Sequence, residues 1–283
     1  MRITIYIAFA AALSLMTACI DDDDENCVKD FVVDIGVADK NYTNTAQFPQ
    51  WPAEDENQPF GHFENTLYYK VTDTKSGITI QQSDVMNINT MEATYKLTLK
   101  DLPIGEYTLT VWGNLTSDVS AGILHPNNKE HTDIYVGTID FCNKCNSAST
   151  MQLQRTKGKL LIFCTNFPDS ITRMHQSLTG IFGQVDGTLN YSETASVEKE
   201  SQPLAVNTLA VAPALAEKSA KLKLSFYDAD GTSPLLSVPP MELNIHRNEL
   251  TAVNVDYNQA SSAWDIWIYL DGEWTLIHHL YIK

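Results

Sequence analysis

Polar and apolar residues alternate along most of the chain in short runs. In "TYKLTLK" Leu97 and Leu99 share one side of an extended backbone, and in "GEYTLTVWGN" Tyr107, Leu109 and Val111 do the same. A period of two predicts strands with one face buried. "FVVDIGVAD" (Phe31 to Asp39) opens the series, and "TLYYKVTD" and "GITIQQ" flank a turn at "TKSG". Leu102-Pro103-Ile104-Gly105 joins two strands, with Pro setting φ and Gly permitting a positive φ. "DIYVGTIDF" closes this half. The same grammar resumes near "QLQRTKGKLLIFCTN" and continues through "QPLAVNTLAVAPAL", a hairpin around Asp228 to Gly231, and "MELNIHRNELTAVNVDYN". "ITRMHQSLTGIFGQV" is read as strand on its Thr, Ile and Gly content. Asp271-Gly272 sits between alternating aromatic flanks, a strong hairpin signal. Many short strands with turn chemistry between them, and almost no helical periodicity, predict β-sandwiches. Between the first two strands lies a stretch rich in Asn, Pro and Gln, from Asn41 to about Asn65, read as loop.

One segment breaks the pattern. Ile3 to Ala18 is apolar or small nearly throughout, with Arg2 before it and four aspartates and a glutamate soon after. It is short for a membrane span, which needs about 20 apolar residues. A positive start, an apolar centre and small residues at the exit are the parts of a secretory signal. The exit, Met16-Thr17-Ala18-Cys19, resembles the bacterial lipobox, with Met in place of the usual Leu. The resemblance implies cleavage between Ala18 and Cys19 and acylation of Cys19. Two or three acyl chains hold a protein firmly, each buried CH₂ contributing about 0.8 kcal/mol. The acidic run Asp21 to Glu25 is then a solvated, self-repelling tether, and its position after the lipid cysteine resembles a surface-export signal.

Charge and cysteines narrow the chemistry. The chain has 283 residues and a formal charge of −16. Nucleic acid is excluded as a partner of so acidic a surface, because phosphate contacts need Lys and Arg. Besides Cys19 there are Cys27, Cys142, Cys145 and Cys164. "CNKC" lacks the second ligand pair a zinc site needs, and "NSAST" after it reads as loop rather than the helix of a redox motif. Disulfide chemistry is expected, either Cys142–Cys145 or Cys27 with one of them, and Cys164 in "KLLIFCTN" reads as a buried thiol. His125, His131, His278 and His279 make no metal motif. "DADG" lacks the later ligands of a calcium loop. No nucleophile elbow or phosphate-binding glycine loop occurs. No catalytic residue, metal or cofactor is assigned, and the chain is read as a non-enzyme.

Three segments resemble the fimbrillin-A-associated anchor proteins, lipoproteins that fix protease-processed fimbriae to the outer membrane. These are "LKDLPIGEYTLTVWGN", "RNELTAVNVDYN" and "WDIWIYLDGEW". The resemblance implies an all-β chain of two tandem transthyretin-like Greek-key β-sandwich domains. Residues 1–18 would be the signal, 19–27 the tether, 28–153 the first sandwich and 154–283 the second. It implies an outer-membrane, surface-exposed lipoprotein serving as anchor or assembly subunit, with pilin subunits as partners engaged by β-strand addition. Shaft subunits of this kind are cut after Arg or Lys and lose their first strand. Here that strand would be Phe31 to Val37, with Lys40 as the available cut point. Trp264, Ile266, Ile268 and Leu270 form an apolar face of the terminal hairpin, the candidate partner contact unless it packs on its own domain. The alternative function is a surface lipoprotein binding glycan or host ligand. Of the tryptophans considered for such a role, Trp112 and Trp267 lie in strand motifs and Trp51 in the loop.

Overall fold

The computed structural model describes residues 27–117 and 120–281. Eight strands come from the first half: β1 (Val28–Val37), β2 (Thr66–Asp73), β3 (Thr79–Gln82), β4 (Met86–Asn87), β5 (Tyr95–Pro103), β6 (Glu106–Gly113), β7 (Tyr135–Cys142) and β8 (Ala148–Arg155). They are ordered β3-β2-β6-β7-β8-β1-β5, with β4 beside β2. The join between β7 and β8 is only Tyr135↔Arg155 and Val136↔Gln154. Two sheets therefore meet at one corner and fold over each other. Phe31, Val33 and Ile35 of β1 share a core with Leu67 and Val71 of β2, Leu99 of β5 and Leu109 of β6. This is a β-sandwich whose inner faces are the apolar halves of the alternating runs.

The second half supplies β9 (Gly158–Thr165), β10 (Arg173–Val185), β11 (Tyr191–Ser201), β12 (Val206–Val211), β13 (Ala220–Tyr227), β14 (Leu236–Leu243), β15 (Leu250–Asn258), β16 (Ala263–Leu270) and β17 (Glu273–Tyr281). Sheet β11-β10-β13-β14 packs on sheet β12-β9-β15-β16-β17. The fold is all-β, and a single four-residue helix, Phe60–Phe63, is the only α-helix among the described residues. Asp271 and Gly272 both have positive φ, 50° and 89°, as a two-residue hairpin turn requires.

Two local expectations need correction. Gly105 does not take a positive φ; Asp101 does, at 52°. Gly105 is tight instead because a Cβ there would lie 3.0 Å from the Tyr107 hydroxyl. The segment it belongs to passes from one sheet to the other, since β5 and β6 do not pair. The second correction is at "NSAST": β8 begins at Ala148, where Ala148 to Thr150 pair in parallel with Val32 to Asp34.

Three segments clasp the halves together. Residues 39–51 form a strap over the outer face of β9 and β15, where Tyr42 and Phe48 pack with Leu161, Leu250 and Ala252. The Asn44 side chain exchanges two hydrogen bonds with the Leu250 backbone, 2.8 and 2.9 Å, so it serves as a short stretch of neighbouring strand. The segment after β6 enters the second core with Leu115, Leu124 and Ile134. The turn between β10 and β11 meets β7, where Thr138 donates to the Gly187 carbonyl at 2.6 Å.

Candidate functional site

β1 lies inside its sheet rather than at an edge. It pairs antiparallel with β5 from Val28↔Pro103 to Ile35↔Tyr95, and parallel with β8 from Val32↔Ala148 to Val37↔Leu153. Phe31, Val33, Ile35 and Val37 are buried. At about 1.5–3 kcal/mol for each large apolar side chain, these four supply roughly 6–12 kcal/mol. That is comparable with the whole stability of an ordinary domain, about 5–15 kcal/mol. Removing β1 would open a groove between β5 and β8 that only another strand could fill. Lys40 follows three residues after β1. Its ammonium donates to the Glu56 carbonyl at 2.5 Å and lies 5.3 Å from the centre of the Phe63 ring.

The terminal hairpin divides between inside and outside. Trp264, Ile266 and Ile268 of β16 are buried in the second core, so of the predicted apolar face only Leu270, 41% exposed, reaches solvent. The alternation was legible; the direction it faces was not. The outward surface is made by the other registers. Trp267↔Leu276 and Tyr269↔Trp274 pair across the hairpin, and Trp274 stands edge-on to both Tyr269 and Phe163. The strap covers this surface as far as Tyr269, against which Phe48 packs at 4.9 Å between ring centres. Beyond it Trp274 and Leu276 remain exposed. β17 is the last strand of its sheet, and among the described residues nothing pairs with its outer edge. Unpaired strand edges beside exposed apolar side chains are templates for strand addition.

At the junction a buried polar cluster ties the strap to both halves. Asp39 accepts from the Arg155 amide at 3.0 Å and from Arg247 at 2.5 Å. Arg155 pairs with Asp133 at 3.2 Å and lies over the Tyr42 ring. Burial works against the Arg155 charge, but Asp133 and the two tyrosines Tyr135 and Tyr42 more than offset it and hold the guanidinium charged. Glu64 is fully buried nearby, and neither carboxyl oxygen has a hydrogen-bond partner. Burial first, and the Asp133 charge second, push its carboxyl well above the usual range. A Cβ at Gly113 would run into that carboxyl, so the strand glycine makes the space. The sequence gives no sign of a role for Arg155 or Glu64, since neither carries a local motif.

The remaining predicted residues fall as follows. Cys19 and Ala18 lie outside the described residues. Cys142 and Cys145 bond to each other, so neither ties Cys27 to the first sandwich. Cys164 is a free thiol pushed up to about 12 by burial. His125 is buried rather than in an open loop. It accepts from the Ala212 amide, just past the end of β12, at 3.0 Å. Two residue contacts beside it secure the same segment: Glu130 accepts from Ala210 at 2.7 Å and pairs with Lys199 at 2.6 Å. Lys157, also buried, donates to the His131 and Thr132 carbonyls, and burial pulls it down to about 8. His279 pairs with Asp265 at 2.5 Å. Among the described residues no three His, Cys, Asp or Glu side chains converge on a metal position. Trp112 is core, and Trp51 is half-buried on the strap rather than free in a loop.

The sequence profile of the fimbrillin-A associated anchor proteins Mfa1 and Mfa2 matches residues 64–279. No curated protein sequence matches significantly. Among solved structures, the chain is similar to a fimbrial assembly protein from Parabacteroides distasonis, with 14% identity, a TM-score of 0.51, and 89% of this chain and 99% of that one covered. It is similar to the fimbrial anchor protein Mfa2 from Porphyromonas gingivalis, with 13% identity, a TM-score of 0.50, and coverage of 89% and 100%. A candidate adhesin from Bacteroides ovatus matches at 11% identity, a TM-score of 0.54, and coverage of 89% and 96%.

Proposed function

The chain belongs to the fimbrillin-A associated anchor proteins, and from that premise we propose that it is the membrane-side subunit of a fimbria, lipid-anchored through Cys19 and engaging a neighbouring pilin by strand addition at β17. The observation that carries this reading is the asymmetry of the two ends. β1 fills the centre of its own sheet, so the first sandwich needs no strand from a neighbour. Among the described residues nothing pairs with the outer edge of β17, beside exposed Trp274 and Leu276. A subunit closed at its first strand and open at its last can begin a fibre but cannot be inserted into one. The partner contact is therefore moved from the buried Trp264, Ile266 and Ile268 to the outer edge and outer face of β17.

Lys40 supports the same reading. Its ammonium is held by the Glu56 carbonyl, and the residues around it are bound into the strap, whereas a protease needs an extended, accessible segment. We assign residues 1–18 to the signal, 19–27 to the tether, and the two sandwiches to 28–153 and 154–283.

The test is the mass of the N-terminal peptide from protein on native cells. An acylated Cys19 still joined to Val28–Val37 is expected. A new N-terminus after Lys40 would mean that β1 is discarded and the groove opened. The chain would then be a polymerising subunit, and the anchor reading would fail.

A further inference from the structure

A pocket of about 180 Å³ opens at the junction between the strap and the two sandwiches. Its walls include Tyr42 and Trp51 from the strap, Asp133 and Arg155 from the first half, and Lys159 from β9. Most of the charge here is already matched. Arg155 is paired with Asp133, and Lys40 with a main-chain carbonyl. Lys159 differs. Its ammonium lies 4.8 Å from the centre of the Trp51 ring and 5.4 Å from that of Tyr42, and no carboxylate or carbonyl of the described residues accepts a hydrogen bond from it. Burial pulls its pKa down, and the carboxylates of Asp133, Glu130 and Glu54 only partly offset this. A half-buried cation held only by ring faces has an open place for an anion.

We propose that this pocket binds a single uronic-acid residue of a glycan, the Lys159 ammonium pairing with its carboxylate and the Trp51 ring packing against its carbon-hydrogen face. The volume suits one sugar ring and is below the roughly 300–1,000 Å³ of sites for larger ligands. At the rim Glu54 and His62 face each other at 3.4 Å with their side chains 59% and 43% exposed, and their outward atoms can meet ring hydroxyls. The same Glu54 disfavours an acidic peptide, which would bring further carboxylates. A peptide also needs its main-chain groups paired, usually by a strand edge, and this pocket is walled by side chains and loop. The proposal is independent of the fimbrial reading, because it concerns the strap and β9 rather than β1 or β17.

The experiment titrates glucuronate, glucose and N-acetylglutamate into the purified protein, read by saturation-transfer NMR and tryptophan fluorescence. Glucuronate is expected to saturate at about millimolar concentration, with glucose at least about ten-fold weaker. Lys159→Gln should bring glucuronate down to the glucose level while leaving the urea midpoint in place, and Trp51→Leu should weaken both sugars. Should Lys159→Gln fail to fold, the glucuronate-to-glucose ratio on the unaltered protein and the Trp51→Leu variant decide the matter. Equal binding of the two sugars, absence of saturation, or undiminished binding by folded Lys159→Gln overturns the proposal. Binding of N-acetylglutamate as tightly as glucuronate overturns it in favour of a peptide carboxylate.

Discussion

His125 should make the seam between the two sandwiches sensitive to acid. Its Nε2 accepts the Ala212 amide at 3.0 Å, and its Nδ1 faces the Lys129 carbonyl at 3.4 Å. The proton therefore sits on Nδ1, and a second proton would set N–H against N–H. Burial is the main force holding the ring neutral, and the Lys157 charge and His131 add to it. Together they outweigh the Lys129 carbonyl and bring the pKa from 6.5 to about 3. The unfolded chain takes up a proton near pH 6.5 that the folded chain refuses. Stability is thus fully present above that pH and falls as pH drops toward 3. One proton per molecule costs about 1.4 kcal/mol per pH unit. The loss attributable to this residue is about 3 kcal/mol at pH 4, with local opening of the segment setting an upper limit. The assay is urea unfolding between pH 7 and pH 4 for the natural protein and His125→Gln, whose amide oxygen can accept the Ala212 N–H at every pH. Carboxylates titrate in both proteins, so the difference between the curves isolates the histidine. The variant should lose stability more slowly, the gap widening below pH 6.5. Parallel curves would refute the reasoning and return His125 to the status of an ordinary packing residue.

Three further outcomes follow from the same structure. Trp264→Ala should destabilise by about 3–5 kcal/mol, because the indole is fully buried, whereas Leu270→Ala should stay within about 0.5–1 kcal/mol; chemical denaturation of both variants checks the split. Glu64→Gln should stabilise the protein at pH 7 and converge with it near pH 4. The raised carboxyl makes the folded state bind the extra proton, so the penalty grows as pH rises above the unfolded value; unfolding at the two pH values reads it. The double substitution Trp274→Lys, Leu276→Lys should cost only about 1–2 kcal/mol, since both side chains are partly exposed and Trp274 loses its ring contacts with Tyr269 and Phe163, and abolish fimbrial attachment by charging the edge. Piliation counted by electron microscopy in cells carrying the variant is the check.

How much of this was written in the chain depends on the range of the interaction. Strand alternation and the Asp271-Gly272 turn are local, and both were legible. The alternating face of β16 was visible as a face, but the pattern of one strand does not say which side the rest of the protein occupies. The strap reads as loop in the sequence because its partners are remote: Asn44 and Leu250 are 206 positions apart. Glu64 and Arg155 look like ordinary charged residues until Asp133, Tyr42 and Gly113 surround them. Their role is set by packing between elements, for which a single sequence carries no periodic signal.

The central position of β1 has a mechanical consequence. The strand starts beside Pro103 and ends at the junction, where Asp39 grips Arg155 and Arg247. A pull on its leading end, with the second sandwich held by a fibre, acts along the strand axis. The ladders to β5 on one side and β8 on the other are then sheared together rather than peeled one bond at a time. The clasp at Asp39 passes the load to the second sandwich directly. Lifetime under tension is set by the rate of unfolding rather than by equilibrium stability, and a strand loaded in shear from both edges is the arrangement that makes that rate slow.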